Sequence, residues 1–378
     1  MTVADTRNRY LGLLVMAVVL AVLPMRLEGD YALGLGVIIG INTIIVLGLN
    51  LLMGYAGQVS LGQAAFVGIG AYTSAILTVN HGWPPWCGLA AAIGLSALVA
   101  AAVGVPLLRL HGHYLAMGTL GFGIIVHIVM VQWGSLTNST DGIAGIPPLA
   151  LGPVTFGSSR SMYFLTAAAV LLCLALAGNI IDSRAGRALR AVHGSEIAAS
   201  ISGVDVARNK LQVFALSGAL AGLAGGLFAH YMTYINPDSF QLGYSIQLLV
   251  MAVIGGMASI WGAVFGAAAV TLIGEQLRSL LEVSPIIFGF VVMLIVVAVS
   301  TGRAPGVEGG VPSPRTSGLR AVMVLGILLL AYAFPAVHLG RGTRAWIGYA
   351  VAGAVLCVGS IVVWRRGQAD QTGAERVN

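Results

Sequence analysis

Few side chains in this 378-residue chain could do chemistry, and the best placed of them are uncharged. Asn50, Gln58, Ser60 and Gln63 fall where an apolar run is interrupted by glycines and polar residues. Such groups are costly in hydrocarbon unless they find a partner or face water. Two roles suit them, along with Asn42 and Thr119. One is glue between helices, the commoner use of any single such group. The other is the lining of a polar path, for which Asn50 and the 57–63 cluster are the better candidates because they coincide with a helix break. Gly57-Gln58-Val59-Ser60-Leu61 recurs as Gly256-Met257-Ala258-Ser259-Ile260, followed at the same spacing by Phe66 and Phe265. Such recurrence arises by chance in a Gly/Ala-rich chain. It also arises from broken helices in matching positions of two halves, which mark a transport path and add Gly256 and Ser259 to its candidates.

Other chemistries lack their residues. No Ser/His/Asp or paired-carboxylate constellation shares a plausible pocket. His127 and His230 stand alone and read as satisfied packing residues. Arg109, His111 and His113 form a short turn with no third metal ligand. No catalytic, cofactor-binding or metal residue is therefore assigned. Lys210, the sole lysine, lies between Asn209 and Leu211, so the Gly-Lys-Ser/Thr of a phosphate-cradling loop is missing. Cys87, Cys173 and Cys357 read as small core residues rather than a disulfide framework.

The elements that position these groups follow from composition. Only 8% of residues are charged and 58% are hydrophobic, whereas a soluble domain is roughly a quarter charged. The reading is an all-α polytopic membrane protein whose surroundings are a lipid bilayer; the net charge of +6 contains no dense basic block for nucleic acid. Spanning helices need roughly 20 apolar residues. Candidates lie at 10–25, 31–53, 61–80, 86–108, 114–133, 161–181, 211–235, 243–257, 262–281, 285–301, 319–338 and 345–364, or about 10–12 segments with some short or interrupted. Alternating their sides places 14 of the 19 Lys and Arg residues on one face, which the positive-inside rule makes cytoplasmic, together with both termini. Trp83, Trp86, Trp133 and Trp346 then fall near the outer interface.

One cytoplasmic stretch concentrates charge: Ser183–Lys210 holds seven charged residues in 28 positions, against 25 in the other 350. Leu189 with Val192, and Ile197 with Ile201, share faces at helical spacing. Gly194 separates two short helices, Ser195 caps the second and Gly203 ends it. A solvated connector is the plain alternative, but a floppy linker does not require caps.

The run Gly48-Leu49-Asn50-Leu51-Leu52-Met53-Gly54-Tyr55-Ala56-Gly57-Gln58-Val59-Ser60-Leu61-Gly62-Gln63, continuing to Gly70-Ala71-Tyr72, closely resembles the signature of branched-chain amino-acid ABC importer permeases of the longer, LivM type. Asp141–Pro147 resembles that type's external loop, and Gly186–Val192 with Glu196–Ala199 and Gly203-Val204 its cytoplasmic coupling loop. Phe214–Gly225 and Val253–Met257 extend the likeness, which covers residues 31–306.

The resemblance implies the ABC importer permease fold, with two pseudo-repeated halves and broken helices. It implies half of a translocation path for leucine, isoleucine or valine in a bacterial inner membrane. The implied partners are a homologous second permease (a heterodimer), two ATP-binding subunits that carry ATP-Mg, and an external substrate-binding protein. This chain itself would be no enzyme and bind no cofactor. Arg187, Arg190, Glu196, Ala198, Ala199 and Gly203 would couple it to the ATPase. The same machine carrying urea, amides or other amino acids is the alternative, and a self-sufficient transporter or channel a more distant one. Two departures stand out. Ile125 and His127 occupy a region where the family usually has acidic and basic residues. Beyond a transmembrane domain at 1–306, a linker (307–318) leads into an extension (319–378) with two apolar segments.

Overall fold

The computed structural model describes residues 12, 14–22, 24, 29–151 and 154–280. The expected segments at 285–301, 319–338 and 345–364, the linker, Cys357 and both termini lie outside the described residues. Two compact units divide at Leu249 and Val250.

Within the first unit, residues 14–22 are helical. The helices α1 (Asp30–Asn50), α2 (Gln63–Val79), α3 (Pro85–Leu107), α4 (His113–Gln132) and α5 (Ser159–Asp182) follow. Next come the short α6 (Arg184–Gly194) and α7 (Glu196–Ile201), then α8 (Val206–Met232) and the start of α9 (Leu242–Gly255). A π turn, Leu51–Tyr55, extends α1. Five of these helices, with α1 counted through Tyr55, are long and apolar enough to cross a membrane. At 1.5 Å per residue, the 24 residues of α5 reach about 36 Å, ample for a hydrocarbon layer of about 30 Å.

Helix α8 is the hub, packing on α1, α2 and α3. Small residues permit that approach: a Cβ on Gly225 would strike the Val67 carbonyl of α2, and one on Gly222 would press on Ser96 and the Ala92 carbonyl of α3. Ser96 Oγ donates to the Phe66 carbonyl at 3.1 Å, and Phe66 meets Phe214 edge to face at 5.6 Å. Every helix so far matches an expected segment within a few residues except α8, which starts at Val206 rather than 211. Asp205 caps it by accepting from the Arg208 amide at 3.0 Å, so five more positions, three of them polar (Arg208, Asn209 and Lys210), join the helix.

Between α4 and α5 the chain forms β1 (Ile143–Ala144), β2 (Ala150–Leu151) and β3 (Val154–Thr155), with β4 (Tyr234–Ile235) after α8. The β1–β4 pair is antiparallel, Ile143 opposite Ile235, and β2–β3 is a hairpin. This loop is pinned from below. Trp86 Nε1 donates to the Ala150 carbonyl at 2.7 Å. Buried His230 donates from Nδ1 to the Pro147 carbonyl at 2.7 Å, which leaves Nε2 to accept from Ser74 Oγ at 2.8 Å. His230 is thus a satisfied packing residue. Trp83 and Trp133 are exposed, as interfacial indoles would be. Cys87 differs from the expectation: it lies on the exposed side of α3's first turn, and of the two described cysteines Cys173 is the buried one.

In the second unit, the end of α9 turns into α10 (Ile260–Leu280). Backbone meets backbone there: a Cβ on Gly255 would strike the Gly262 carbonyl, and one on Gly266 the Met251 carbonyl.

Candidate functional site

The first helix break is built from α1's failure to stop in the ordinary way. Its last turns widen into the π turn, with the Gln58 amide bonding the Leu52 carbonyl at 3.1 Å and the Gly57 amide bonding Met53. Single π turns are uncommon and cluster at functional sites. Gly57 then takes φ +69°, a left-handed conformation that glycine adopts without strain. Non-helical backbone continues to Gly62, and α2 begins at Gln63.

Other helices supply what this backbone lacks. The Leu61 amide donates to Thr119 Oγ1 of α4 at 3.0 Å, and the Ala64 amide to Ser245 Oγ of α9 at 3.0 Å. Gln63 Nε2 reaches α8, donating to Ser217 Oγ at 3.0 Å and to the Ser217 carbonyl at 3.2 Å. Gln58 Nε2 turns back to the Ala56 carbonyl at 3.1 Å. Gln63 is therefore interhelical glue, and Gln58 a local staple. Asn50 is buried at α1's end, and Asn42 accepts from Tyr244 Oη at 2.7 Å. Ser60 stands apart: it is 1% exposed and its hydroxyl has no hydrogen-bond partner among the described residues.

Gly256 and Ser259 belong to the second unit, where a similar break occurs. Gly256 has φ +98°, and Ser259 Oγ accepts from the Gly262 amide at 3.1 Å, capping α10. Both breaks thus share their order: helix, left-handed glycine, serine three residues on, helix.

The charged stretch forms the expected helix pair. Ser183 caps α6 through the Ala185 amide at 3.1 Å, and Ser195 caps α7 through the Ala198 amide at 3.2 Å. Gly203, at φ +81°, ends α7 in a Schellman motif: its amide bonds the Ser200 carbonyl and the Val204 amide the Ala199 carbonyl, both at 3.0 Å. Leu189, Val192 and Ala199 are buried. The Arg187 and Arg190 guanidinium groups donate to the Asp182 and Ile181 carbonyls, each at 3.2 Å, completing the C-terminus of α5. Glu196 accepts from Lys210 Nζ of α8 at 2.5 Å, and His111 Nε2 lies 3.6 Å from its other oxygen. The lysine side chain is only 3% exposed. Ala198 is exposed beside Ile197 and Ile201, which are 75% and 82% exposed. Helical spacing had paired those isoleucines on one face; the structure turns that face outward.

Helix α6 also packs against the π turn, and a Cβ on Gly57 would meet the His193 ring at 3.5 Å. The helix pair and the first break are therefore in direct contact. Thr119 was among the polar candidates of the sequence, whereas the contacts made by Lys210, Ser217, Ser245 and His193 were not foreseen. Only Lys210 carried a signal, as the one lysine in the chain. Among the described residues no cluster of His, Cys, Asp or Glu suits a metal ion.

Long apolar helices around a polar break, with a capped helix pair beneath it, define a multi-pass membrane transport component rather than a catalytic subunit. The chain belongs to the family described as branched-chain amino acid transport system / permease component, whose model matches residues 31–300. It is 32% identical over 288 residues to the high-affinity branched-chain amino acid transport system permease protein LivM of Salmonella typhimurium, covering 70% of this chain and 68% of that one. The LivM protein of Escherichia coli is similar to the same degree. A probable branched-chain amino acid transport permease protein LivH of Methanocaldococcus jannaschii is 27% identical, covering 72% of this chain and 91% of that one. No solved structure matches the chain.

Proposed function

We propose that this chain is one of two homologous permeases in an ATP-driven importer of branched-chain amino acids, forming half of the translocation path. The observation that carries the reading is the α6–α7 pair: a capped, buried-in-part element that presents two bare isoleucines beside an exposed alanine. Exposed apolar side chains on a rigid helix suit insertion into a partner's groove. The partner is an ATP-binding subunit, one of two that carry ATP-Mg, and this chain binds no cofactor. Glu196, Ala198, Ala199 and Gly203 shape the docking helix, while Arg187 and Arg190 fasten α6 to α5.

ATP can shift the path only by favouring one state of the permease pair over another. The seat of α6 on the π turn gives that bias a physical route into the membrane. Asn50, Gln58, Ser60 and Gln63 border one break and Gly256 and Ser259 the other, and solute passes along this uncharged polarity after delivery by an external binding protein. The setting is a bacterial inner membrane with both termini cytoplasmic, residues 1–306 acting as the transmembrane domain and 319–378 as an appended segment.

The test is uptake of labelled leucine into proteoliposomes holding this chain, its partner permease, the ATPase and the binding protein. Uptake that needs ATP and is competed by isoleucine and valine but not by urea is expected. Uptake by this chain alone, driven by an ion gradient, would overturn the proposal.

A further inference from the structure

The polar groups at the first break are not equivalent. Gln58, Gln63, Thr119, Ser217 and Ser245 engage one another or the backbone within hydrogen-bond distance. Ser60 Oγ is buried and has no partner among the described residues. Tyr72, His127, Tyr163 and Thr166 carry unpartnered buried groups too, but all sit inside regular helices: Tyr72 in α2, His127 in α4, and Tyr163 and Thr166 in α5 against α1. Ser60 instead stands on unwound backbone between the π turn and α2. Irregular backbone at membrane depth persists where it is buried in protein or lines a cavity, and an orphaned buried hydroxyl calls for an explanation. The helices that flank it in sequence are neutral: no Asp, Glu, Lys or Arg occurs between Asp30 and Arg109, or within α4.

We propose that Ser60 Oγ is a solute subsite, contacting the zwitterionic head group of an amino acid as it crosses; this rests on the importer reading above. A hydroxyl both donates and accepts, so it serves a carboxylate and an ammonium alike. A single neutral hydroxyl holds the head group weakly enough for release, as conduction requires. The matching serine of the second break caps α10, so the two repeats divide a structural role and a solute role between them.

The test uses the complete complex in proteoliposomes, with Cys87, Cys173 and Cys357 replaced and leucine transport retained. Ser60→Cys is exposed to a small cationic methanethiosulfonate in each nucleotide state, with Thr166→Cys as the equally buried comparison. The expected result is modification of Ser60→Cys in at least one state, faster than Thr166→Cys and slowed by leucine with the binding protein. Ser60→Ala, which needs no labelling, lowers uptake about two- to tenfold, the factor of one neutral hydrogen bond, and Ser60→Thr, which keeps the hydroxyl, lowers it less. Modification no faster than Thr166→Cys in every state, modification that leucine leaves unchanged, or full uptake by Ser60→Ala would each overturn the subsite. Absence of ATP-dependent leucine uptake in the unsubstituted complex would instead overturn the importer reading.

Discussion

The α6–α7 pair and the first break are both polar interruptions of an apolar chain, yet they satisfy their backbones in opposite ways. The helix pair is self-contained: Ser183, Ser195 and Gly203 close its ends from within. The break depends on other helices, drawing on Thr119 of α4, Ser217 of α8 and Ser245 of α9. A self-capped element moves as a body, whereas one held by three neighbours changes whenever they shift. The contact of His193 with Gly57 then joins a stiff lever to a compliant joint. The contrast predicts different penalties for single substitutions in the two regions.

The largest penalty tests how the stiff element is anchored. Glu196→Ala leaves the Lys210 ammonium, 3% exposed, without its counter-charge. Breaking one side of a fully buried pair costs about 3–5 kcal/mol; Glu196 is 34% exposed, so solvent screening brings the expected loss down to about 2–3 kcal/mol. Thermal melts of the purified complex should show that loss, and adding Lys210→Met should recover most of it, because the stranded charge is then gone. If the double variant is no better than Glu196→Ala, the pair is not the anchor. Next comes the joint. Thr119→Val removes the acceptor for the Leu61 amide and should cost about 1–3 kcal/mol. Hydrogen exchange should accelerate at 57–63 and stay unchanged in α6 and α7.

How much of this was legible in sequence depends on the range of the signal. Apolar runs are local and long, so their helices were read to within a few residues. The caps Ser195 and Gly203 were legible for the same reason, each acting within four residues of itself. Glue and path lining were both open for Gln63 in sequence, because its partner, Ser217, is 154 positions away. No periodicity links such a pair. Lys210 was counted as loop charge, since its distance from Glu196 says nothing about burial. The strands β1 and β4 have two residues each, too short for alternation to register. The outward turn of Ile197 and Ile201 was hidden because spacing defines a face but not what lies opposite it.

Two glycines of the same backbone hand sharpen the comparison at a smaller scale. Gly203 and Gly57 have φ +81° and +69°. A Cβ at Gly203 would meet nothing within 4 Å, so Gly203→Ala costs backbone strain alone, about 1–2 kcal/mol. Gly57→Ala carries comparable strain and also sets a methyl against the His193 ring at 3.5 Å. Both should lower the melting temperature similarly. Gly57→Ala alone should also lower the leucine transported per ATP hydrolysed, and equal ratios for the two variants would sever the proposed link between lever and joint.

The smallest expected effect on stability falls on the most exposed apolar residues. Ile197 and Ile201 are 75% and 82% exposed, so replacing both with serine removes little buried area. The isolated permease should change by no more than about 0.5 kcal/mol for each substitution. In a partner's groove the same side chains would each bury surface worth about 1.5–3 kcal/mol. The double variant should therefore fold and enter the membrane normally but lose the ATPase during purification. If it destabilised the permease itself, the pair would belong to this chain's own packing. If the ATPase stayed bound with undiminished affinity, the docking face would have to be sought elsewhere, and the stiffness of α6 and α7 would lose its proposed purpose.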